Sequence, residues 1–463
     1  MALGFSALPA ALLILAACRT ATLPGPAENG WGQVPAILSQ IRPPVFPDQD
    51  FDVTAFGAAG DGRTQSGGAI TAAIEACAGA GGGRVTVPEG VFLTGPLVLR
   101  SRVNLHLQKG AVLLFSRIPE DYLPAVFTRF EGVECMNYKP FLYAVDAEDV
   151  AVTGPGVLDG QADSTVWWFW SGGRDDGWRE GLPSQARDRA ELLAMGEAGV
   201  PVAERVFGGG HYIRPNFVQF IRCRNVLIEG VTVKRSPMWC LHPVLCENVI
   251  VRGVTVVSHG PNNDGCNPES CKNVLIEGCT FDTGDDCIAI KSGRNGDGRR
   301  INVASENIVV RDCVMRDGHG GVVIGSEISG SCRNVFVERC RMDSPNLDRA
   351  LRIKTNSVRG GVIEHVRMRD VEVGEVSDAV IWVYFHYEEG DAGPHTPVVR
   401  DIDVRRVSSR KSNYALLLEG YERSPVSDVR IQDCDFDGVQ SGNRLSHVSG
   451  LELVGVTING KKQ

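Results

Sequence analysis

Three segments are near copies of one another: RNVLIEGVTV at residues 224–233, ENVIVRGVTV at residues 247–256 and KNVLIEGCTF at residues 272–281. Further copies begin at Glu306, Arg333, Glu364, Arg400, Ser427 and Ser449, and a weaker, earlier copy covers residues 148–157. The spacing between successive starts varies from 22 to 36 residues from residue 224 onward. Self-similarity with such a period is typical of a repeat architecture, in which each copy is one supersecondary unit.

Each copy contains a short strand with alternating apolar residues, a polar bend and a second short strand. A single copy cannot bury its apolar face, whereas coaxial stacking of the copies produces a continuous core. The period is too short for a crossover helix and too irregular for propeller blades. The sequence therefore predicts an all-β, single-domain, right-handed parallel β-helix.

An asparagine recurs at the same position of successive copies, namely Asn225, Asn248, Asn273, Asn307 and Asn334. Residues at equal positions on adjacent coils lie about 4.8 Å apart, which is the spacing between paired strands. We therefore expect a ladder of stacked amides at one corner, with a structural role.

The N-terminal end of such a stack has an exposed edge that needs a cover. Residues 66–78 predict a short capping helix with Ser66 as its N-cap. The β-helix domain is expected over residues 49–463, with one large insertion at residues 161–213. The insertion carries four tryptophans and a helix-like run at residues 184–204, so we expect it to be ordered.

The composition excludes several classes of protein. The chain has 463 residues with 54 glycines spread along it and 43% hydrophobic residues, which argues against both disorder and collagen. The formal net charge of −9 argues against a general nucleic-acid partner, because that role needs a basic surface. An anionic ligand would require a local basic patch.

The first residues resemble an export signal. Residues 7–17 form an apolar run that is too short for a stable membrane span, and it ends at Cys18 in a pattern like the bacterial lipoprotein cleavage site. We expect residues 1–18 to be a signal peptide and residues 19–48 a linker. The protein would be periplasmic or anchored to the outer membrane by lipid at Cys18; ordinary cleavage nearby would instead give a secreted protein.

Fourteen cysteines in an exported chain suggest disulfides, yet many of them occupy a repeat position where other copies carry valine. Cys279, Cys313, Cys340 and Cys434 share this position, which is expected to be small, buried and apolar. No two cysteines have C-x-x-C spacing, so we expect no metal and no other cofactor. The spacing assigns no bridges.

Several polar residues have the same phase on successive coils. Asp285 follows Asn273 by as many residues as His319 follows Asn307, so these two residues should be neighbours on adjacent coils. Asp264 and Arg352 lie a few residues further along their own coils. We therefore expect one face to carry Asp264, Asp285, Asp286, His319, Arg352 and Lys354.

This set suits glycoside cleavage. Three crowded carboxylates repel one another, so at least one should keep a proton near neutral pH. A protonated carboxylic acid can protonate a leaving oxygen while an ionised carboxylate activates water. Arg352 and Lys354 alternate along a strand and point to the same side, where they form a cationic pocket suited to a sugar that carries a carboxylate.

Four short segments resemble, in the same order, the motifs of the polygalacturonase glycoside hydrolases: NND at residues 262–264, GDD at 284–286, GHG at 318–320 and RIK at 352–354. The resemblance covers roughly residues 51–458. It implies inverting hydrolysis of α-1,4-galacturonosidic bonds in polygalacturonate, the pectin backbone. The intact His and Arg-Ile-Lys motifs favour this substrate over rhamnogalacturonan.

The resemblance also implies a role for each matched residue. Asp285 resembles the general acid, and Asp264 and Asp286 resemble the pair that activates water. His319 resembles the residue that supports protonation of the acid. Arg352 and Lys354 resemble the residues that bind the substrate carboxylate beside the scissile bond, and Asn262 resembles a positioning group.

The insertion resembles those of bacterial exo-acting members, which close one end of the cleft. We therefore expect exo action, with endo action or another uronide substrate as alternatives. A polysaccharide lyase and a non-catalytic glycan-binding β-helix are the alternatives of other classes. Three further residues are candidates for substrate binding: Trp239, Lys291 and Tyr387. For Trp239 core packing is the competing interpretation, and for Tyr387 a plain surface position.

Overall fold

The computed structural model describes Met1 and residues 30–463, and the predicted signal peptide and Cys18 lie outside this range apart from Met1. It confirms a single right-handed parallel β-helix with three faces. Face 1 contains the first strand of each copy: Asp50–Asp52, Gly83–Val87, Val103–Leu107, Glu148–Thr153, Arg224–Glu229, Glu247–Arg252, Lys272–Glu277, Ser305–Arg311, Cys332–Glu338, Val362–Glu375, Val398–Lys411, Val426–Gln432 and Val448–Val454.

Face 2 contains the second strands, and the long strands Val362–Glu375 and Val398–Lys411 continue into it from face 1. Its other strands are Asp61–Gln65, Gly90–Thr94, Ala111–Phe115, Val157–Asp159, Thr232–Lys234, Thr255–Ser258, Thr280–Thr283, Val314–Met315, Arg341–Met342, Asp435–Phe436, Thr457–Ile458 and, antiparallel at the end of the stack, Lys461–Lys462. The remaining strands close each coil.

These closing strands form face 3: Leu97–Val98, Leu142–Val145, Val218–Ile221, Leu241–Val244, Ile288–Ile290, Val322–Gly325, Arg349–Lys354, Ala379–Tyr384, Tyr414–Glu419 and Arg444–Ser446. Isolated bridges through Cys266 join the two halves of this face. A hairpin of Val126–Phe130 and Val133–Asn137, extended by Val206–Phe207, stands outside the stack.

In-register stacking builds the core. Val226, Val249 and Val274 are direct partners on face 1, and each is fully buried. The same residue type at the same phase fills the same space on every coil. The repeat therefore produces a continuous apolar interior.

The predicted asparagine ladder is confirmed. Each amide nitrogen donates to the side chain of the preceding coil, from Asn334 to Asn307 at 3.0 Å and from Asn225 to Asp149 at 2.9 Å at the far end. The ladder asparagines have φ between 55° and 59°. Asparagine tolerates this left-handed conformation better than most residues, which suits it to a tight corner.

Residues 31–41 differ from the expectation of a linker. Trp31–Gln33 forms a 3₁₀ turn and α1 (Val34–Gln40) follows it. Trp31, Val34, Ile37 and Ile41 are buried against an apolar stripe on the outer side of face 1. The outward residues of this stripe, such as Leu227 and Ile250, would otherwise face water, so burial of both surfaces fixes the segment.

The predicted capping helix is α2 (Gly67–Gly79), which buries Ile70, Ala73, Ile74 and Cys77 against the first coils. Ser66 occupies the N-cap position but does not cap α2 with its side chain. Its hydroxyl instead donates to the carbonyls of Ala59 and Thr64. Ser66 therefore ties the preceding loop to the start of the helix.

The insertion is packed against the stack. Trp168–Ser171 forms a 3₁₀ turn, and Trp167 is fully buried against Tyr122 and Phe141. Further along, α3 (Ala186–Glu197) is shorter than the predicted run, and a 3₁₀ turn at Val202–Glu204 follows it. The other elements are the 3₁₀ turns Val53–Phe56 and Pro119–Tyr122, and α4 (Asn295–Ile301). No helix within the described range is long and apolar enough to span a membrane.

Candidate active site

The three carboxylates and His319 lie in the turns that lead into face 3, and Arg352 and Lys354 lie on its strand Arg349–Lys354. Strand pairing aligns three successive coils, because Cys266 pairs with Ile288 and Ile288 pairs with Val322. In this register Asp264 stacks next to Asp286, and Asp285 stacks next to His319. Backbone hydrogen bonds fix this alignment, since the amide of Gly265 donates to the carbonyl of Asp286 at 2.9 Å. The predicted convergence of these residues on one face is therefore present.

Asp285 and His319 form the most open pair. Nδ1 of His319 lies 3.0 Å from Oδ1 of Asp285, and the backbone amide of Asp286 also donates to this oxygen. The Asp285 side chain is 17% exposed, compared with 4% for Asp264 and 1% for Asp286. Of the three carboxylates, Asp285 is thus the one most accessible to a substrate.

Asp286 is enclosed by two cations. Nη1 of Arg352 donates to Oδ1 at 2.9 Å, and Nζ of Lys354 donates to Oδ2 at 2.8 Å. All three side chains are buried. Both carboxylate oxygens of Asp286 are therefore engaged by the residues that were expected to bind a substrate carboxylate.

Asp264 has a different environment. Its Oδ2 accepts a hydrogen bond from Nδ2 of Asn267 at 2.6 Å and lies 3.6 Å from Nζ of Lys291. Lys291 is itself buried, donates to Glu327 at 2.9 Å and lies 4.5 Å from the centre of the Trp239 ring. The buried ion pair of Lys291 and Glu327 thus holds the ammonium group close to Asp264.

The titratable groups of the site have pKa values that are shifted in different directions. Burial, followed by the negative charge of Asp285, raises the pKa of Asp264 well above its ordinary value. Burial acts in the same direction on Asp285 and Asp286, but the hydrogen bond from His319 lowers the pKa of Asp285, and Lys354 and Arg352 lower that of Asp286. The hydrogen bond to Asp285 raises the pKa of His319.

This pattern agrees with the expectation that one crowded carboxylate favours its protonated form, and the carboxyl whose pKa is raised is Asp264 rather than Asp285. The raised pKa of His319 favours a protonated imidazole beside the Asp285 carboxylate, whose Oδ1 lies 3.0 Å from Nδ1. The pair therefore shares one ionisable proton between two groups, and its titration belongs to both.

These residues surround a pocket of about 190 Å³. It is lined by Glu131, Arg189, Trp239, Asn262, Asp264, Asp285, Lys291, His319, Ser326, Glu327, Lys354, Tyr387 and Glu388. Asp286 and Arg352 are not part of the lining and lie behind it. The arrangement brings titratable acids and bases together with the cations Lys291 and Lys354 around one small cavity.

The substrate-binding candidates differ in exposure. Oδ1 of Asn262 accepts a hydrogen bond from the buried Arg214 at 2.6 Å, which leaves its amide nitrogen for a ligand. Tyr387 packs its ring 5.1 Å from Nζ of Lys354. Trp239 both lines the pocket and belongs to a buried cluster with Phe130 and Leu192, so core packing is confirmed for Trp239 and its role in substrate binding stays a prediction.

Five pocket-lining residues were missed by the sequence reasoning: Glu131, Arg189, Ser326, Glu327 and Glu388. Glu327 follows the strand Val322–Gly325 much as Lys291 follows Ile288–Ile290, so extending the phase comparison past the strands would have found it. Glu131 lies in the hairpin and Arg189 lies on α3. These two belong to segments outside the repeat, where phase carries no information.

One group of side chains in the described range has ligand atoms close enough to hold a cation. His259, Asp282 and Asp317 offer atoms within 4.8 Å of one another. None of them lines the pocket, His259 contacts Asp282 at 2.9 Å, and Asp317 accepts hydrogen bonds from Ser344 and Asn346. These contacts already satisfy the group, and the absence of a metal requirement stays a prediction.

The sequence and the fold resemble those of known proteins. The profile of glycosyl hydrolases family 28 matches residues 209–455. The structure of an exopolygalacturonase from Thermotoga maritima is 49% identical, with a TM-score of 0.92 over 94% of this chain and 97% of that chain. An exo-poly-alpha-D-galacturonosidase from Dickeya chrysanthemi is 28% identical over 89% of this chain and 74% of its own length.

The polygalacturonase from Erwinia carotovora ssp. carotovora shares the fold, with 22% identity and a TM-score of 0.62 over 90% of this chain and 98% of that chain. The family profile covers more than half of the chain and includes all four motif segments. The protein is therefore a glycoside hydrolase that belongs to glycosyl hydrolases family 28.

Proposed function

We propose that the protein hydrolyses α-1,4-galacturonosidic bonds of polygalacturonate, with inversion and from the chain end. The observation that carries the proposal is the single small pocket that combines Asp264, Asp285 and His319 with the cations Lys291 and Lys354. Acidic and cationic groups together suit a polymer whose every sugar carries a carboxylate. The similarity to exopolygalacturonases supports the same substrate and the exo mode.

The reaction needs only water as a second reagent. Asp264 and Asp286 act as the pair that activates water: its ionised carboxylate takes a proton from water while the water oxygen attacks the anomeric carbon, and the glycosidic oxygen leaves with a proton from the Asp285–His319 pair. General acid–base catalysis of this kind contributes about 10²–10⁴-fold to the rate. Separate acid and base groups, with water between the base and the sugar, lead to inversion.

The cations have two tasks in this mechanism. Arg352 and Lys354 hold Asp286 ionised, and Lys354 also reaches the pocket lining beside Tyr387. A substrate carboxylate would therefore meet Lys354 directly, while Arg352 acts from behind. Asn262, which also lines the pocket, offers an uncharged hydrogen-bonding group to the substrate.

The first experiment is product analysis on polygalacturonic acid with wild type, Asp285→Asn and Asp312→Asn. Asp285→Asn should lower the rate by about 10²–10⁴-fold because an amide cannot act as the acid. Asp312→Asn should retain full activity, since Asp312 is a half-exposed partner of Arg339 away from the pocket. Saturated mono- or digalacturonate should be the first product of wild type.

Other outcomes point to the alternatives. A ladder of oligomers would identify endo action, and products that absorb ultraviolet light would identify a lyase. Activity only on another uronide would change the substrate, and a folded protein without any release would favour a glycan-binding β-helix. If Asp285→Asn kept most of the wild-type rate, the assignment of the acid would be wrong.

The location of the protein is part of the proposal. The apolar run at residues 7–17 supports export, followed by a periplasmic, outer-membrane-anchored or secreted location. Within this proposal, lipid attachment at Cys18 would anchor the protein to the outer membrane, whereas ordinary cleavage nearby would release it. A pectin-directed enzyme must meet its polymer outside the cytoplasm.

A further inference from the structure

Two charged side chains from outside the repeat reach the pocket. Arg189 lies on α3 in the insertion, and Glu131 lies in the turn between Val126–Phe130 and Val133–Asn137. Both line the cavity that also contains Asp264 and Asp285. Neither has a place in the mechanism described above, so their convergence on the pocket needs a separate explanation.

The pair is held rigidly. Nε and Nη2 of Arg189 each lie 2.7 Å from Oε2 of Glu131, and Nη1 of Arg294 donates to the same oxygen at 3.0 Å. Leu192 anchors α3 in the buried cluster that includes Phe130 of the hairpin. The two segments that carry the pair thus share one core, and a preorganised site loses little entropy on binding.

Each partner keeps one side for a ligand. Within the described residues, Nη1 of Arg189 has no hydrogen-bond acceptor and Oε1 of Glu131 has no donor, and the Arg189 side chain is 32% exposed. A free N–H group next to a free carboxylate oxygen matches a hydroxyl, which both donates and accepts. It matches a carboxylate poorly, because a carboxylate only accepts.

The size of the cavity restricts the ligand further. Its volume of about 190 Å³ is below the range of roughly 300–1,000 Å³ that encloses drug-sized ligands, so it suits one sugar ring. Glu327 and Glu388 also line it, but each is paired with a cation, Glu327 with Lys291 and Glu388 with Arg359. The carboxylate that remains open to a ligand from this side is therefore that of Glu131.

We propose that Arg189 and Glu131 bind the free C4 hydroxyl of the non-reducing terminal galacturonate. The inference rests on the proposed function and names the residues that distinguish a chain end from an internal sugar. In an internal sugar the C4 oxygen carries the preceding ring, so it has no proton to donate to Glu131. The pair is a specificity determinant and takes no part in bond cleavage.

The test compares saturated trigalacturonate with trigalacturonate whose non-reducing ring has a C4–C5 double bond and no C4 hydroxyl. Wild type should prefer the saturated substrate by at least about 10²-fold in kcat/KM, because the unsaturated ring leaves Nη1 of Arg189 and Oε1 of Glu131 without a hydrogen-bond partner. Arg189→Ala should reduce this preference to less than about 10-fold by slowing only the saturated substrate. The control Arg187→Ala, an exposed residue of the same helix, should keep the wild-type preference.

Arg189→Lys provides a second variant if the alanine variant does not fold, since it keeps a positive charge beside Glu131 but loses the guanidinium fork. It should also reduce the preference. Retention of the full preference in either folded variant would overturn the inference, as would equal slowing of both substrates, which indicates a structural role. Failure of wild type to cleave saturated trigalacturonate would instead contradict the proposed function.

Discussion

The raised pKa of His319 gives the site a testable pH dependence. The hydrogen bond to Asp285 raises the pKa of His319 above its ordinary value of about 6.5, although burial opposes the shift, and the charges of Asp286 and Asp348 add to it. The imidazole is charged below this raised pKa and loses its charge as the pH rises through it. Activity that requires the proton of the pair should therefore fall on the alkaline side at a pH above 6.5.

His319→Gln should shift that alkaline limb to lower pH. The remaining acid is then a carboxyl group, which releases its proton at lower pH than an imidazole in this setting, and kcat should drop by about 10²-fold. The measurement is kcat against pH on polygalacturonate. His365→Gln is the matched control, since His365 also pairs with an aspartate, Asp401, but away from the candidate site. An unchanged limb in His319→Gln would exclude this role.

Among the site residues, the sequence identified those that the repeat itself positions. Asp285 and His319 were assigned as neighbours because equal phase on adjacent coils fixes their distance, and the structure brings them to 3.0 Å. The engagement of Asp286 by Arg352 and Lys354 was not predicted, because phase gives a face and not a hydrogen-bond partner. Arg189 reaches the pocket through tertiary packing of the insertion, for which the sequence carries no periodic signal.

Among the elements, the asparagine ladder makes a prediction about stability. Asn273 is buried at φ 58°, donates to Asn248 at 3.4 Å and accepts from Asn307 at 3.0 Å. Asn273→Ala should cost about 2–4 kcal/mol of unfolding free energy, from left-handed strain of about 1–2 kcal/mol and from buried groups left unpaired. Asn273→Gly should relieve the backbone strain, so it should lose less unfolding free energy than Asn273→Ala, but it still lacks the side-chain hydrogen bonds.

Equilibrium unfolding in denaturant measures these differences. Asn302 is the control, because it also has a left-handed φ of 51° but is exposed at the end of α4. Asn302→Ala should show the strain alone, and Asn302→Gly should restore the wild-type stability. Equal losses for Asn273→Ala and Asn302→Ala would mean that the stacked amides contribute nothing.

The segment at residues 31–41 is an element outside the repeat that the sequence did not predict. Val34–Gln40 is only seven residues long, and helices of that length are marginal without tertiary contacts. Its stability comes from burial against face 1 and from the ring of Trp31, which contacts Phe336 edge-on at 5.4 Å. Local sequence could not reveal this partner, since the stripe exists only after the coils have stacked.

For the molecule as a whole, the fold followed from the repeat because identical positions on successive copies must occupy identical environments. The cysteines that share one repeat position were expected in a small buried slot. All four of them are buried and form no disulfide: Cys279, Cys313, Cys340 and Cys434. The same regularity explains why the stack needs no cross-links. Each coil is stabilised by burial against the coils on both sides of it.

The thirteen cysteines of residues 30–463 are all buried and free, so the described part of the chain should contain no disulfide even after export. Burial raises the pKa of Cys77 to about 11 and that of Cys135 to about 12, and only the thiolate reacts readily with an oxidant or a thiol reagent. In native protein at pH 8 these thirteen thiols should therefore react slowly with a thiol reagent, whereas all thirteen should be exposed in protein unfolded without reductant; a Cys18→Ser variant removes the fourteenth cysteine of the chain from the count. A reduced sample unfolded in parallel serves as the reference. Fewer thiols in the unreduced sample would show that bridges form in the exported protein, and rapid labelling of the native state would show that the stack opens far more readily than its continuous core implies.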